Sequence, residues 1–152
     1  MCFSDIYKGV VITKIFFKIS ILLFVLISFK SESMHVISHY SVEVKTLSSS
    51  QLRRIYSMRQ TRWPNKEPIV VFVLPSQHTV HKTFSKETLH IFPYQLDRIW
   101  NKLTFSGLGV APRIVQSQTE LLQAVSTTPG AIGYVETLDK EKQHVNVINI
   151  TE

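Results

Sequence analysis

The amino-acid sequence predicts an α/β fold in which a mixed sheet is flanked by helices. Residues 69–74 form an uninterrupted apolar run rich in β-branched side chains, which is typical of a strand covered on both faces. A helical pattern follows at residues 93–103, where apolar side chains recur at spacings of three and four. Residues 128–135, reading TPGAIGYV, then connect a second amphipathic helix to another strand. This alternation of strands and helices indicates one layered domain.

The segment before the apolar run is predicted to contribute one strand and one helix. Apolar and polar residues alternate at positions 40–44, which is the pattern of a strand with one buried face. Ser48 and Gln51 have the spacing of a capping box. A short helix is therefore expected over residues 49–58.

Two further helices are expected after the apolar run. Pro75 ends the strand, and a helix begins within the next few residues with Val80 and Phe84 on one face. Pro93 suits the first turn of the next helix, because a backbone N–H has no intrahelical partner there. Residues 105–112 contain two glycines and are expected to form a loop.

The last third of the chain is predicted to alternate strand, helix and strand. A short apolar pair at residues 114–115 precedes Ser117 and Glu120, which have the spacing of a second capping box. The helix that starts there is expected to end near Thr127. A final strand is predicted at residues 145–150.

The joint between that helix and the following strand has a clear local cause. Pro129 cannot continue the helix, and Gly130 accepts the positive φ of a left-handed cap. Gly133 lies inside an otherwise apolar strand, where a glycine admits a close neighbour. The physical reading of this segment is a tight helix-to-strand connection.

The first 33 residues have the order of a secretory signal peptide. Three lysines precede an apolar run at residues 19–29, and the next four residues are polar. Cleavage is expected between Ser28 and Met34, which leaves residues 34–152 as the exported domain in the periplasm. The eleven-residue run is shorter than the roughly 20 residues that span a bilayer. An uncleaved N-terminal anchor stays an alternative, because no Ala-x-Ala site is present.

Cysteine content and charge narrow the class of protein. Cys2 is the single cysteine and lies inside the predicted signal, so the exported domain is expected to form no disulfide and no cysteine metal site. Cys2 also precedes the apolar run, whereas a lipid-anchored cysteine follows it, which argues against a lipoprotein. Residues 34–152 carry 13 basic and nine acidic side chains. This moderate excess favours anionic ligands or membranes without specifying nucleic acid.

Four elements occur in an order that resembles a known family. They are Trp63 before the buried strand, the strand–turn–helix at 74–84, the segment at 100–112, and the string PGAIGY at 129–134. In this order they resemble the compact single-lobe relatives of PstS, the phosphate-binding protein of ABC transporters. The resemblance implies one lobe of a type 2 periplasmic-binding-protein fold. Two-lobed receptors trap solute between lobes, so a single lobe must bind weakly, obtain a second wall from a partner or a second copy, or bind no solute.

The resemblance also implies an anion site at the turn after the buried strand. In the family, this strand carries an arginine near its end, and a Ser-Gly-Thr turn presents backbone N–H groups to phosphate. The matching residues 72–79 read FVLPSQHT, without the glycine and without an arginine at 72–74. A helix start still offers unpaired donors and partial positive charge, although these residues alternatively do no more than cap a helix. The candidate oxyanion ligands are Ser76, Gln77, His78, Thr79 and His81.

Other chemistries are less well supported by the sequence. His78, His81 and His90 invite a metal site, but no carboxylate cluster or cysteine accompanies them, and surface histidines are expected instead. Ser76 lacks a Gly-x-Ser-x-Gly elbow and an orienting acid, so no enzyme and no cofactor are expected. Trp100 lies on the apolar face of its helix and is expected in the core.

Two functional hypotheses follow. The first is an exported, non-enzymatic, solute-binding-like domain that binds phosphate or another oxyanion. The second is an envelope interaction module that keeps the lobe but has lost solute binding, with a protein partner or a homodimer as its assembly.

Overall fold

The computed structural model of the chain describes residues 34–138 and 144–151. The predicted signal peptide lies outside these residues, so its cleavage stays a prediction. The described strands are β1 (His35–His39), β2 (Thr46–Ser48), β3 (Val70–Val73), β4 (Arg113–Ile114), β5 (Ala131–Val135) and β6 (Val145–Thr151). The described α-helices are α1 (Ser49–Tyr56), α2 (Thr79–Thr83), α3 (Pro93–Phe105) and α4 (Gln118–Thr127). A π-helical turn, Phe84–Thr88, continues α2.

The strands form one mixed sheet in the order β2-β6-β1-β5-β3-β4. β1 is antiparallel to both of its neighbours, β5 and β6. The remaining pairs, β2 with β6, β3 with β5 and β3 with β4, are parallel. The predicted mixed α/β sheet is therefore confirmed, and the apolar run forms a strand with parallel neighbours on both sides.

Helices cover both faces of this sheet. On one face, α4 packs so closely on β5 that a Cβ at Gly133 would lie 2.5 Å from Cδ2 of Leu121. On the other face, the ring of Tyr134 stacks on Phe84 with 3.9 Å between centroids, and Phe84 contacts Tyr56 of α1. Successive β5 residues point to opposite faces, so Gly133 and Tyr134 each fix one helical layer.

Several predicted local signals are confirmed. The capping box of Ser48 and Gln51 opens α1, and Pro93 is the first residue of α3. Gly130 has a φ of +71°, and a Cβ there would meet the carbonyl oxygen of Pro68. At α4, Ser117 accepts from the backbone N–H of Glu120, but the Glu120 carboxylate accepts from Gln116 rather than from Ser117. The second capping box is thus only half formed.

The strand predicted at residues 40–44 is wrong. The strand is β1, which ends at His39, and a turn follows in which Val42 donates to the carbonyl of His39. Asn146 donates to the carbonyls of Tyr40 and Val42 and so holds this turn. Of the three apolar residues in the pattern, Val42 is buried, Val44 is half-buried and Tyr40 is exposed, so they do not form one buried strand face.

Candidate functional site

The carboxyl ends of β3 and β4 lie side by side, because the two strands are parallel neighbours. Helix α2 begins after β3, and helix α4 begins after β4. Ligands of open α/β sheets bind at this edge, where helix starts present their N–H groups. The predicted anion site therefore lies at the edge that the fold makes available.

A tight turn leads from β3 into α2. The backbone N–H of His78 donates to the carbonyl of Pro75 over 2.8 Å. His78 is the N-cap, and its Nδ1 accepts from the backbone N–H of Val80. No described residue accepts from the backbone N–H of Gln77 or of Thr79. Two amide donors at this helix start are thus open to a ligand, and the cap is an imidazole rather than the usual hydroxyl.

Ser76 is held by an acidic residue that the sequence did not indicate. Its hydroxyl donates to Oδ1 of Asp97 on α3 over 2.7 Å. A hydroxyl has one proton to donate, so this bond removes Ser76 Oγ as a donor to an anion. Asp97 also brings a carboxylate beside the site, which opposes an anionic ligand.

The structure excludes His81 as a surface ligand and overturns its prediction as a surface histidine. Its side chain is fully buried, and Nδ1 pairs with the hydroxyl of Tyr134. Burial, opposed in part by the charge of Asp97 and assisted by His78, lowers the pKa of His81 to about 4. The imidazole is therefore neutral at pH 7 and faces the core, because the helix places it opposite the exposed Thr79.

Tyr134 connects the buried imidazole to the end of β3. The backbone N–H of Leu74 donates to the Tyr134 hydroxyl over 3.0 Å. That hydroxyl in turn donates to Nδ1 of neutral His81. This direction leaves the fewest polar atoms of the network unpaired, because Nε2 of His81 is then its one atom without a described partner. Burial also raises the pKa of Tyr134, so the hydroxyl stays protonated. This network fixes the last residue before the turn against α2.

The start of α4 is arranged differently. The carboxylate of Glu120 accepts from the backbone N–H of Gln116 over 2.7 Å, while Ser117 Oγ accepts from the N–H of Glu120. A carboxylate of the protein thus lies at this helix start, where its interaction with the helix dipole is favourable. At α2, the equivalent third helical position is His81, which points into the core.

The remaining candidate features are structural. Residues 72–74 are buried and apolar, so β3 itself supplies no guanidinium to the turn. Trp63 and Trp100 are both buried, and their indole N–H groups donate to the carbonyls of Gly130 and Tyr56. Within residues 34–138 and 144–151, no group of three His, Cys, Asp or Glu side chains is placed to hold a metal ion. In the same part of the chain, no helix has the length and apolar character to cross a bilayer.

A groove of about 430 Å³ lies at the opposite end of β3. Its lining includes Met58, Val71 and Val110, and none of the candidate ligands. This groove is therefore separate from the turn at the start of α2.

Comparison with known proteins supports the same fold. A family profile described as a PBP superfamily domain matches residues 27–148. A putative phosphate ABC transporter substrate-binding protein from Clostridium perfringens, solved with bound phosphate, superposes with a TM-score of 0.59 at 21% identity. PstS from Borrelia burgdorferi superposes with 0.59 at 15%, and an ABC-type phosphate transport receptor from Vibrio cholerae with 0.55 at 18%.

These superpositions cover 77–79% of this chain and 44–47% of the other chains. The chain thus spans less than half the length of each of these proteins, and its fold corresponds to a single lobe. At these identities the likeness shows the fold alone. No curated protein matches the chain in sequence.

Proposed function

Because this chain belongs to the PBP superfamily, we propose that it is a solute-binding-like domain that binds phosphate or another small oxyanion at the start of α2. The observation that carries the proposal is the geometry of this helix start, where the N–H groups of Gln77 and Thr79 have no described acceptor. Thr79 Oγ and Nε2 of His78 add two side-chain donors that no described residue uses. The domain is proposed to be non-enzymatic.

The proposed affinity is weak. Residues 72–74 supply no arginine, so the bidentate charge-assisted pair is missing. Asp97 adds a carboxylate, and Ser76 Oγ is already engaged. An open lobe also lets water compete for every donor. We therefore expect dissociation constants in the millimolar range unless a partner or a second copy supplies a second wall.

An amide-resolved titration tests this proposal. Phosphate and sulfate are added to ¹⁵N-labelled protein at constant ionic strength, with chloride as the control anion. The N–H resonances of Gln77 and Thr79 are expected to shift with saturation, because they donate to the anion. The matched control is the start of α4, where the N–H groups of Gln118 and Thr119 also have no described acceptor but the carboxylate of Glu120 accepts from Gln116 in front of the helix. Its negative charge repels an added anion, so these two resonances should not shift. Equal shifts at both helix starts, or none up to about 50 mM anion, contradict the proposal of a millimolar site.

A second candidate is an envelope interaction module that has lost solute binding. It is favoured by the bond between Ser76 and Asp97, which places a negative charge beside the turn at the start of α2. In this case added phosphate shifts neither the Gln77 nor the Thr79 resonance in the isolated chain, and it shifts neither when a stoichiometric partner is bound. Phosphate-dependent shifts that appear only with the partner present would instead support a site completed by a second wall.

Export to the periplasm is proposed from the signal-like order of residues 1–33. The test is N-terminal sequencing of the chain recovered from the native host. A new N-terminus between Ser28 and Met34 supports a cleaved signal. An intact N-terminus in the membrane fraction supports the uncleaved anchor instead.

A further inference from the structure

Helix α3 presents an unusual outer face. Its inner side chains, Leu96 and Trp100, are buried against the domain. Tyr94, Arg98, Asn101 and Phe105 follow one another at i, i+4, i+7 and i+11, so they fall within one narrow stripe of the helix. Tyr94 is 60% exposed and Phe105 is 88% exposed. We call these four residues, together with Lys102 beside them, the outer stripe.

Large apolar side chains cluster at both ends of the outer stripe. At the amino end, the ring of Phe92 stacks on Tyr94 at 5.8 Å, and Nζ of Lys86 lies 5.9 Å from the Phe92 ring. At the carboxyl end, Phe105 is followed by Leu108, which is 79% exposed. The two ends are roughly 20 Å apart along the helix axis. Exposed aromatic residues placed together in this way indicate an interaction surface.

The surrounding layer is basic. Helices α1, α2 and α3 and the π-helical turn carry six cationic and two acidic side chains. One of these acids, Asp97, is engaged by Ser76 at the edge of the sheet. On the opposite face, α4 carries Glu120 as its single charged residue. The electropositive character of the described domain is thus concentrated on the layer that contains the outer stripe.

We propose that the outer stripe docks on a bilayer surface that contains anionic lipid. Arg98 and Lys102 lie between the two apolar ends and face the lipid phosphates, while Tyr94 and Phe105 enter the headgroup region. A planar anionic surface is favoured over a protein groove, because the complementary charge extends across several helices rather than along one contact line. Each cation near such a surface strengthens binding by about five-fold. The docking is independent of the oxyanion site, which faces the carboxyl edge of the sheet.

A local probe tests the docking in the full chain. In a Cys2→Ser background, Asn101→Cys places an environment-sensitive fluorophore on the outer stripe, and Gln123→Cys places it on α4 as the matched control. Vesicles of phosphatidylcholine alone are compared with vesicles containing phosphatidylglycerol. The probe at position 101 is expected to shift to the blue and to be quenched by brominated lipid only with the anionic vesicles. The probe at position 123 is expected to stay unchanged, so insertion of residues 1–33 by themselves is distinguished from docking of the stripe.

Charge and apolar variants complete the test. Replacing both cations, Arg98→Gln with Lys102→Gln, is expected to weaken the anionic-vesicle response about 25-fold, and high salt should do the same. Phe105→Ser should reduce quenching while leaving the salt dependence intact. An unchanged probe at position 101, an equal response at position 123, or an equal response to neutral vesicles would each overturn the proposal. Near-ultraviolet circular dichroism of the buried tryptophans checks that the variants stay folded.

Discussion

The starts of helices α2 and α4 differ in whether the protein places a negative charge beside the N–H groups of the first helical turn. At α4, the protein supplies its own anion, because Glu120 reaches back to the N–H of Gln116. At α2, the residue in the equivalent position is His81, which turns inward to Tyr134 and leaves the N–H groups of the turn uncovered. The difference teaches that the residue three positions into a helix determines whether the protein places its own carboxylate at that helix start or leaves the start without one.

The largest expected effect concerns the support beneath α2. Tyr134→Phe removes the hydroxyl that pairs with Leu74 and His81, and two buried polar groups lose their partner. We expect a loss of about 3 kcal/mol in the free energy of unfolding, measured by urea denaturation. Tyr56→Phe is the matched control, because the buried Tyr56 hydroxyl has no described hydrogen-bond partner, and it should be nearly neutral. Equal losses in the two variants would show that the network does not support α2.

The second prediction concerns pH. The folded-state pKa of His81 is about 4, below its usual value, so the unfolded chain binds more protons as the pH falls through this range. The contribution of His81 to stability is complete above about pH 6.5 and is lost between about pH 6.5 and pH 4, by up to about 1.4 kcal/mol per pH unit. His81→Gln keeps an acceptor for Tyr134 but does not titrate, so its stability should vary less over this range. An identical pH dependence in both proteins would exclude His81 as its source.

A third prediction compares two hydroxyl side chains, one at the start of α4 and one at the start of α2, in their effect on stability. Ser117→Ala removes the side chain that caps α4, and it should cost about 1 kcal/mol in chemical denaturation. Thr79→Ala changes an exposed hydroxyl at the start of α2 that caps nothing, so it should stay within about 0.5 kcal/mol of the parent protein. Comparable losses would mean that Thr79 has a structural role.

The smallest expected effect concerns the anion itself. Asp97→Asn removes a negative charge beside the α2 turn while keeping an acceptor for Ser76, so phosphate should bind about three-fold more tightly. The readout is the midpoint of the Gln77 amide shift in the titration described above. An affinity that does not change would show that Asp97 is too far from the bound anion to affect it.

Local signals explain why much of the fold was predictable. The apolar run of β3, the periodicity of α3 and the glycine at the left-handed cap each depend on residues close in sequence. The misplaced first strand depends instead on Asn146, a remote residue that satisfies the carbonyls of the turn at residues 40–44. A period-two pattern cannot distinguish a strand from such a turn.

The candidate site was predictable only in part, for the same reason. The turn into α2 follows from Pro75 and the end of the apolar run. The burial of His81 depends on Tyr134, which is 53 residues away, and the role of Asp97 depends on a contact across 21 residues. The one sequence pattern that indicated burial of His81 was its position beside the apolar helix face formed by Val80 and Phe84. A histidine at the rim of an apolar face is consistent with either a core or a surface position.

The antiparallel strand β1 has a consequence for how the domain is made. β1 lies between β5 and β6 in the middle of the sheet, and Val36 pairs with Ile148 across more than one hundred residues. During synthesis, β1 therefore cannot pair with either neighbour until β5 and β6 have been translated. Pairings so distant in sequence form slowly, because a long loop must close before they contribute any stability. A nascent chain with this topology completes its sheet later than one whose strands pair in order.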